Sequence, residues 1–220
     1  MTRLLVLRPQ PGADATAERA RAMGFDPLVV PLFEIGGVAW DAPDPANFDA
    51  ILMTSANAAR HGGASLARLH TLPLFAVGAA TARAAAAAGF GTILSGESDG
   101  AAALAAAHAA GHQRILHLAG REHVALPGVE RRIVYAAEPV EVILPDADVA
   151  LLHSPRAARR FAELGDRTLA IAALSPQVAA AAGEGWRAVA IAGAPHDESL
   201  LAAAARLCDQ GARAGKEDQA

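Results

Sequence analysis

The stretch AILMTSANAAR, residues Ala50–Arg60, decides how the chain is organised. Its apolar start predicts a short strand over Ala50–Met53 that runs directly into a helix. Thr54 and Ser55 lie at that junction, where either side-chain oxygen can accept a hydrogen bond from a free backbone N–H and cap the helix. Because a helix start carries excess positive dipole, the junction also suits a carboxylate or a phosphate.

The same design recurs later in the chain as LLHSPRAAR, residues Leu151–Arg159, where Ser154 aligns with Ser55. A second pair of segments also matches, because Val77–Thr81 (VGAAT) aligns with Ile171–Ser175 (IAALS). In both copies a run of alanines follows and ends at a glycine. We therefore predict that the chain is built from two copies of one α/β plan.

Apolar runs of strand length alternate with segments of helical spacing along the rest of the chain. We predict strands over Leu4–Leu7, Pro27–Pro31, Ala50–Met53, Leu74–Val77, Thr92–Leu94, Arg114–Leu118, Arg131–Ala136, Val149–Leu152, Thr168–Ala172 and Arg187–Ile191. We predict helices over Ala13–Met23, Ala56–Leu69, Ala80–Ala88, Pro155–Leu164 and Pro176–Gly183, one from a cap at Ser98 or Asp99 to about Ala110, and one from a cap at Asp197 that fades toward Gly211. The segment Gly120–Arg132 is poorly patterned and is not expected to hold a full helix, and the polar tail Gly211–Ala220 is expected to fray.

The first strand, helix and strand of the chain form a βαβ unit without a complete partner strand nearby, so we expect it to complete the sheet of the last block. The predicted fold is therefore α/β, with two flavodoxin-like parallel-sheet domains, a two-stranded connector and a cleft between the domains. The predicted boundaries are residues 1–33 with 138–220 for a discontinuous domain, 36–133 for an inserted domain, and 33–36 with 134–137 for the connector.

Composition describes a globular chain, since 53% of its 220 residues are hydrophobic and 19% are charged. The formal net charge of −4 argues against a nucleic-acid binder, which usually carries a basic surplus. An anionic ligand must then be held by local donors. The single cysteine, Cys208, excludes an internal disulfide. The first strand shows no signal-peptide pattern, so we expect a cytoplasmic protein.

The common motifs for nucleotide binding and hydrolase chemistry are absent from the sequence. The candidate binding residues that are left are hydroxyls and amides at predicted helix starts. In open α/β sheets, ligands bind outside the carboxyl ends of the strands, and these side chains fall there. The alternative for each is a plain helix cap, but their repetition in both halves favours a site for a polyanion. The set is Thr54, Ser55, Asn57, Thr81, Ser154 and Ser175.

Four other side chains, a tyrosine, an arginine and two histidines, are also candidates for a role at the site. Tyr135, the single tyrosine, is predicted on the return strand of the connector, where its phenol can donate a proton to a leaving group or simply pack. Arg8 follows the first strand and is either a ligand contact or a solvated arginine. His117 and His153 are predicted in strands, and His153 either faces the cleft or is a buried histidine with satisfied hydrogen bonds.

Taken together in order and spacing, six segments resemble the uroporphyrinogen-III synthase family over nearly the whole chain. They are VLRP at Val6–Pro9, PLFE at Pro31–Glu34, ILMTSANA at Ile51–Ala58, VGAATA at Val77–Ala82, VYAAEPV at Val134–Val140 and HSPRA at His153–Ala157. Each segment is weakly specific by itself. The second copy of the VGAATA segment departs from the pattern, because it lacks the glycine and has Ser175 in place of threonine.

The resemblance implies a synthase that cyclises hydroxymethylbilane, a linear tetrapyrrole with eight carboxylates, by loss of water and inversion of ring D through a spiro intermediate. It implies no metal or organic cofactor. Ligand contacts would lie near Thr54, Ser55, Thr81, Ser154 and Ser175, and Tyr135 would help the hydroxyl to leave. To the substrate-binding set we add Arg8, Asn57 and Gly78.

The expected partner is the small-molecule substrate, with neither nucleic acid nor membrane. We also expect a monomer that receives its substrate in a transient hand-over from hydroxymethylbilane synthase. The alternative function is a non-catalytic two-domain binding protein for a small anionic ligand, and a flavodoxin-like interaction module is a weaker one. Incubation with hydroxymethylbilane separates them, because only the synthase yields isomer III.

Overall fold

A computed structural model describes residues 1–96, 99–165 and 167–217 of the chain. Contacts between Cα atoms divide it into two compact units. Unit 1 consists of Met1–Glu34 and Pro139–Ala220, and unit 2 of Ile35–Glu138. The chain therefore leaves unit 1 once and returns to it once.

Strands and helices alternate through most of the chain. The strands are β1 (Arg3–Val6), β2 (Asp26–Val29), β3 (Phe33–Gly37), β4 (Ala50–Met53), β5 (Leu74–Val77), β6 (Ile93–Gly96), β7 (Ile115–Gly120), β8 (Glu130–Pro139), β9 (Val149–Leu152), β10 (Ala170–Ala173) and β11 (Ala188–Ile191). The helices are α1 (Gly12–Ala22), α2 (Ala56–His61), α3 (Gly78–Ala87), α4 (Gly100–Ala109), α5 (Pro155–Leu164), α6 (Pro176–Ala182) and α7 (Asp197–Glu217), and two short 3-10 helices cover Pro45–Asn47 and Ala64–Leu69.

The sheet of unit 1 has the order β11-β10-β9-β1-β2, and its strands pair in parallel. Numbered along the chain, this is the 2-1-3-4-5 order of flavodoxin-like folds. Leu4 pairs with Val149 and Val6 with Leu151, so the first βαβ unit completes the sheet of the last block. The predicted α/β class with parallel sheets is confirmed.

The sheet of unit 2 has the order β3-β8-β7-β4-β5-β6, and the five strands from β8 to β6 pair in parallel. Its parallel part repeats the spatial order of unit 1, with β7 and β8 in the places that β1 and β2 occupy there. In unit 2 this pair comes last along the chain instead of first. The edge strand β3 lies beside β8, and each of the two continues across a boundary between the units.

The central strands are buried along their whole length, as parallel strands covered on both faces must be. Every residue of β4, β7, β9 and β10 is buried. Alanine-rich helices pack on these strands because a small side chain lets a helix approach the sheet closely. Within the described residues, none of the helices is both long and apolar enough to cross a membrane.

Two sequence predictions about helices need correction. The predicted helix over Ala56–Leu69 ends at His61, and a 3-10 helix begins at Ala64, because Gly63 adopts a left-handed conformation with φ of 66° that interrupts the α-helix. The last helix does not fade at Gly211 but continues through Glu217. Residues 218–220 of the predicted tail lie outside the described residues, as does Ser98, one of the two proposed caps of α4.

Candidate functional site

Both units have a cavity at the carboxyl ends of their central strands. The site rule for open α/β sheets places ligands where the strand order reverses, which is between β1 and β9 in unit 1 and between β4 and β7 in unit 2. The unit 1 cavity has a volume of about 460 Å³ and includes in its lining Arg8, Arg19, His153, His196 and Asp197. The unit 2 cavity has a volume of about 570 Å³ and includes in its lining Thr54, Ser55, Gly120, His123 and Tyr135.

In unit 2, the ring of Tyr135 lies directly against the backbone of Gly120. A Cβ atom at Gly120 would stand 2.5 Å from Tyr135 Cζ and 2.8 Å from its hydroxyl oxygen, closer than real atoms approach. The two residues pair across β7 and β8, next to an irregularity in register between Ala119 and Gly120. The position of the phenol at the cavity therefore depends on the absence of a side chain at residue 120.

Thr54 directly follows β4, and its hydroxyl does not cap α2, because Ser55 is the capping residue. Thr54 Oγ1 lies 3.3 Å from Nε2 of His117, a completely buried residue of β7. Burial, together with the charges of Arg131 and His123, lowers the pKa of His117 to about 4. The ring is therefore neutral near pH 7.

The helix caps predicted from the repeat are formed by its serines. Ser55 Oγ accepts a hydrogen bond from the backbone N–H of Asn57 at 3.2 Å, and Ser154 Oγ accepts one from Ala157 at 3.2 Å. Ser175 accepts likewise from Val178 at 3.3 Å. Each of these hydroxyls keeps its own hydrogen and a second lone pair for another partner.

In unit 1, four side chains converge on the buried carboxylate of Asp197. Oδ1 accepts hydrogen bonds from Arg8 Nη1 at 3.2 Å and from His153 Nε2 at 2.9 Å. Oδ2 accepts from the buried hydroxyl of Thr16 at 2.6 Å and from Arg19 Nη1 at 3.0 Å. The carboxylate thus fixes two cations and a histidine at the rim of the unit 1 cavity.

The ionised form of Asp197 is strongly favoured. Burial alone would raise its pKa, but hydrogen bonds from His153 and Thr16 and the charges of His153 and Arg8 outweigh burial and hold the pKa well below the usual range. The predicted role of Asp197 as a helix cap is wrong, because its oxygens are taken by these side chains. The ring of His196 serves the helix start instead, with Nδ1 accepting from the backbone N–H of Ser199 at 3.3 Å.

Some of the predicted site residues line one of the two cavities, and the others do not. Thr54, Ser55 and Tyr135 lie together at the unit 2 cavity, and Arg8 lies at the unit 1 cavity. The others lie near strand ends but outside the lining of either cavity: Asn57, Gly78, Thr81, Ser154 and Ser175.

Thr81 is enclosed by α3 and its neighbours, and Gly78 begins that helix with φ of 77°. His153 does not lie in β9 as predicted but one residue after its end, where its side chain is only 8% exposed and lines the unit 1 cavity.

Sequence reasoning missed Asp197 as a binding hub and Gly120 as the partner of Tyr135, and it assigned no role to His117, which contacts Thr54. A histidine in an otherwise apolar strand was a usable signal for His117. Asp197 and Arg8 are separated by 189 positions, so their contact was not visible in any local pattern. Among the described residues, no group of three or more His, Cys, Asp or Glu side chains could hold a metal ion.

Comparison with solved structures returns uroporphyrinogen III synthases from Thermus thermophilus. A mutant form has 18% identity and a TM-score of 0.49, and a wild-type form has 18% identity and a TM-score of 0.41, with 96% of this chain and 100% of each of those chains covered. A third structure has 16% identity, a TM-score of 0.41 and coverage of 94% and 100%. No curated protein sequence matches the chain.

The family model described as uroporphyrinogen-III synthase HemD matches residues 14–202. The match runs from α1 to α7, so it includes the strand ends around the unit 2 cavity and those of β9 and β10 in unit 1, but not β1 or Arg8. The chain belongs to the uroporphyrinogen-III synthase family.

Proposed function

We propose that the chain performs its family's reaction with Tyr135 at the unit 2 cavity as the proton donor and with strand-end donors in both units as carboxylate ligands. The reaction is the cyclisation of hydroxymethylbilane to uroporphyrinogen III, and the enzyme is a lyase. The family match over residues 14–202 carries this proposal. The alternative of a non-catalytic binding protein has no support from that match.

The reaction requires the terminal hydroxymethyl group to lose its hydroxyl. The C–O bond breaks, the phenol proton of Tyr135 moves to the leaving oxygen, and water departs from an azafulvene cation. The last pyrrole ring then attacks through its substituted carbon, and fragmentation and reclosure of the spiro intermediate invert ring D. A positioned general acid contributes a factor of about 10² to 10⁴ to such a step. The contact between Tyr135 and Gly120 supports this role, since it places the phenol at the cavity.

The rest of catalysis is positioning. Apart from the proton of Tyr135, the reactive groups belong to the substrate, so the protein must favour the fold of the bilane in which ring D attacks through the correct carbon. Serine hydroxyls and backbone N–H groups at helix starts bind carboxylates without a basic surface. The proposed carboxylate ligands also include Arg8, Asn57, Gly78, Thr81 and Ser175.

Replacement of Tyr135 by phenylalanine tests the acid role. We expect Tyr135→Phe to lower kcat about 10²-fold with KM nearly unchanged, because phenylalanine keeps the ring against Gly120 and removes only the proton. The measurement is the rate of uroporphyrinogen III formation from hydroxymethylbilane, with the isomers separated by chromatography. Full turnover by the variant would remove Tyr135 from the mechanism.

Aspartate in place of the capping serines separates a carboxylate site from a plain cap. Aspartate caps a helix as well as serine does, so Ser55→Asp and Ser154→Asp should keep the thermal midpoint of the protein. A negative charge beside a bound carboxylate should raise KM, by about tenfold for a repulsion of about 1.4 kcal/mol. An unchanged KM in both variants would leave these serines as caps alone.

Three further features belong to the same proposal. The protein acts as a monomer in the cytoplasm, and it receives its substrate in a transient hand-over from hydroxymethylbilane synthase. Enclosure of the substrate in a cleft shared by the two domains stays a prediction from the sequence. Sedimentation of the purified protein with and without hydroxymethylbilane synthase checks the monomer and the hand-over.

A further inference from the structure

His117 is a buried histidine with one hydrogen-bonding nitrogen in use. It lies on β7 opposite Leu52 of β4 and Arg131 of β8, and none of its surface is exposed. Nε2 lies 3.3 Å from Thr54 Oγ1. Nδ1 is also buried and has no hydrogen-bond partner among the described residues.

This arrangement selects one tautomer of the neutral ring. If Nδ1 carried the proton, a buried N–H donor would have no acceptor, which is among the rarest and costliest states of a polar group in a protein. If Nε2 carries the proton, it donates to Thr54 Oγ1, and only a lone pair on Nδ1 stays unused. The contacts therefore favour the Nε2–H tautomer.

The tautomer determines what Thr54 can offer the unit 2 cavity. A threonine hydroxyl has one hydrogen and can accept through its lone pairs. When His117 donates to Oγ1, the hydroxyl hydrogen of Thr54 is not used by the ring and can point toward the cavity that Thr54 lines. Thr54 then meets a ligand as a donor, and the group that it selects is an acceptor such as a carboxylate.

We propose that His117 is a positioning residue that fixes the hydroxyl of Thr54 as a hydrogen-bond donor to a substrate carboxylate. The inference rests on the proposed function, because it requires Thr54 to contact the bilane. It adds a residue that touches no substrate itself and acts through Thr54.

The charged surroundings of the ring keep it in a single neutral state. Arg131 of β8 and His123, whose ring centre is 6.3 Å from that of His117, both disfavour a second proton, in addition to burial. The doubly protonated ring would also donate through Nε2, but it would need an acceptor for Nδ1. Near neutral pH, the neutral tautomer alone is relevant.

Nitrogen NMR of the protein labelled with ¹⁵N-histidine reads the tautomer directly. We expect His117 to show a protonated Nε2 and an unprotonated Nδ1, unchanged between pH 6 and pH 8. The signal is assigned by its loss in His117→Gln. A protonated Nδ1 beside an unprotonated Nε2 would overturn the proposal, since Thr54 would then donate to the ring.

A double-mutant cycle tests the consequence for binding. His117→Leu removes the donor and should raise KM about tenfold with a smaller change in kcat, whereas His117→Gln can donate through its amide and should recover part of the loss. In a Thr54→Val background the leucine substitution should have no further effect on KM. An equal effect of His117→Leu with and without the Thr54 hydroxyl would overturn the proposal.

The two measurements distinguish a failure of the proposed function from a failure of the role of His117. If Thr54→Val leaves KM unchanged while NMR shows the Nε2–H tautomer, Thr54 does not bind substrate, and the carboxylate role falls with that part of the function. If Thr54→Val raises KM but the ring carries its proton on Nδ1, the role of His117 alone is overturned. Thr54→Ser retains the hydroxyl, so in that background His117→Leu should still raise KM, in contrast to the Thr54→Val background.

Discussion

Replacement of Asp197 by alanine is expected to lower the free energy of unfolding by about 3 kcal/mol, the low end of the range for breaking a buried ion pair. The carboxylate holds the buried Thr16 and His153 as well as Arg8 and Arg19. Its loss leaves the ring of His153 without its acceptor and leaves the hydroxyl of Thr16 only the more distant carbonyl of Gly12, at 3.1 Å. The arginines are part-exposed, so water can satisfy them, and this keeps the loss at the low end.

Urea denaturation at pH 7 measures the effect, and Glu198 offers the matched control. Glu198 is the next residue of the same helix and also pairs with Arg19, but its side chain is 66% exposed. Glu198→Ala should therefore lower the free energy of unfolding much less than Asp197→Ala does. Equal losses in the two variants would contradict a special role for the buried carboxylate.

The same carboxylate makes the stability of the protein depend on pH in a defined direction. Because its pKa is lowered in the folded state, Asp197 contributes stability that is fully present above its ordinary pKa of 3.8 and is lost as the pH falls below that value. The thermal midpoint of the unchanged protein should drop more steeply below pH 4 than that of Asp197→Ala. Parallel curves for the two proteins would contradict this assignment.

Replacement of Gly120 by alanine is expected to lower kcat about 10²-fold, as a displacement of roughly 1 Å at a reacting group can do. The new methyl group would stand 2.5 Å from Tyr135 Cζ, so the ring must move. The backbone of Gly120 does not require glycine for its own conformation, because its φ is not positive. The effect on rate therefore reports the position of the phenol.

Two further variants make this test specific. Gly91→Ala is the matched control in the same unit, since a Cβ there would meet nothing within 4 Å and kcat should not change. In a Tyr135→Phe background, Gly120→Ala should add little to the loss, because the proton is already absent. An unchanged kcat in Gly120→Ala alone would show that the reaction rate does not depend on the position of the Tyr135 phenol.

Much of the fold could be predicted because its causes are local. Apolar runs of four residues identified the buried strands, and hydroxyls after them marked the helix starts at Ser55, Ser154 and Ser175. The repeat itself showed which segments are equivalent. Gly89 and Gly183, which end the two alanine runs, both have a positive φ.

The contacts that shape the cavities could not be predicted because their partners are distant along the chain. Thr16 and Asp197 are separated by 181 positions, and only the pairing of β1 with β9 brings their helices to one sheet. Thr54 and His117 meet because β4 and β7 are neighbours. The position of Asp197 at a predicted helix start suggested a cap, but its tertiary contacts give the carboxylate a different role.

The chain leaves unit 1 after β2 and comes back at β8, and the two points are adjacent. The backbone N–H of Val140 donates to the carbonyl of Leu32 at 3.1 Å, so a hydrogen bond joins the two segments of unit 1 between which unit 2 is inserted. The free energy of closing a loop grows only slowly with its length, so unit 1 tolerates a whole extra sheet at this position almost as readily as a short turn. The sheet of unit 1 can therefore accommodate the inserted unit 2 at this point while its own two segments stay joined by a backbone hydrogen bond.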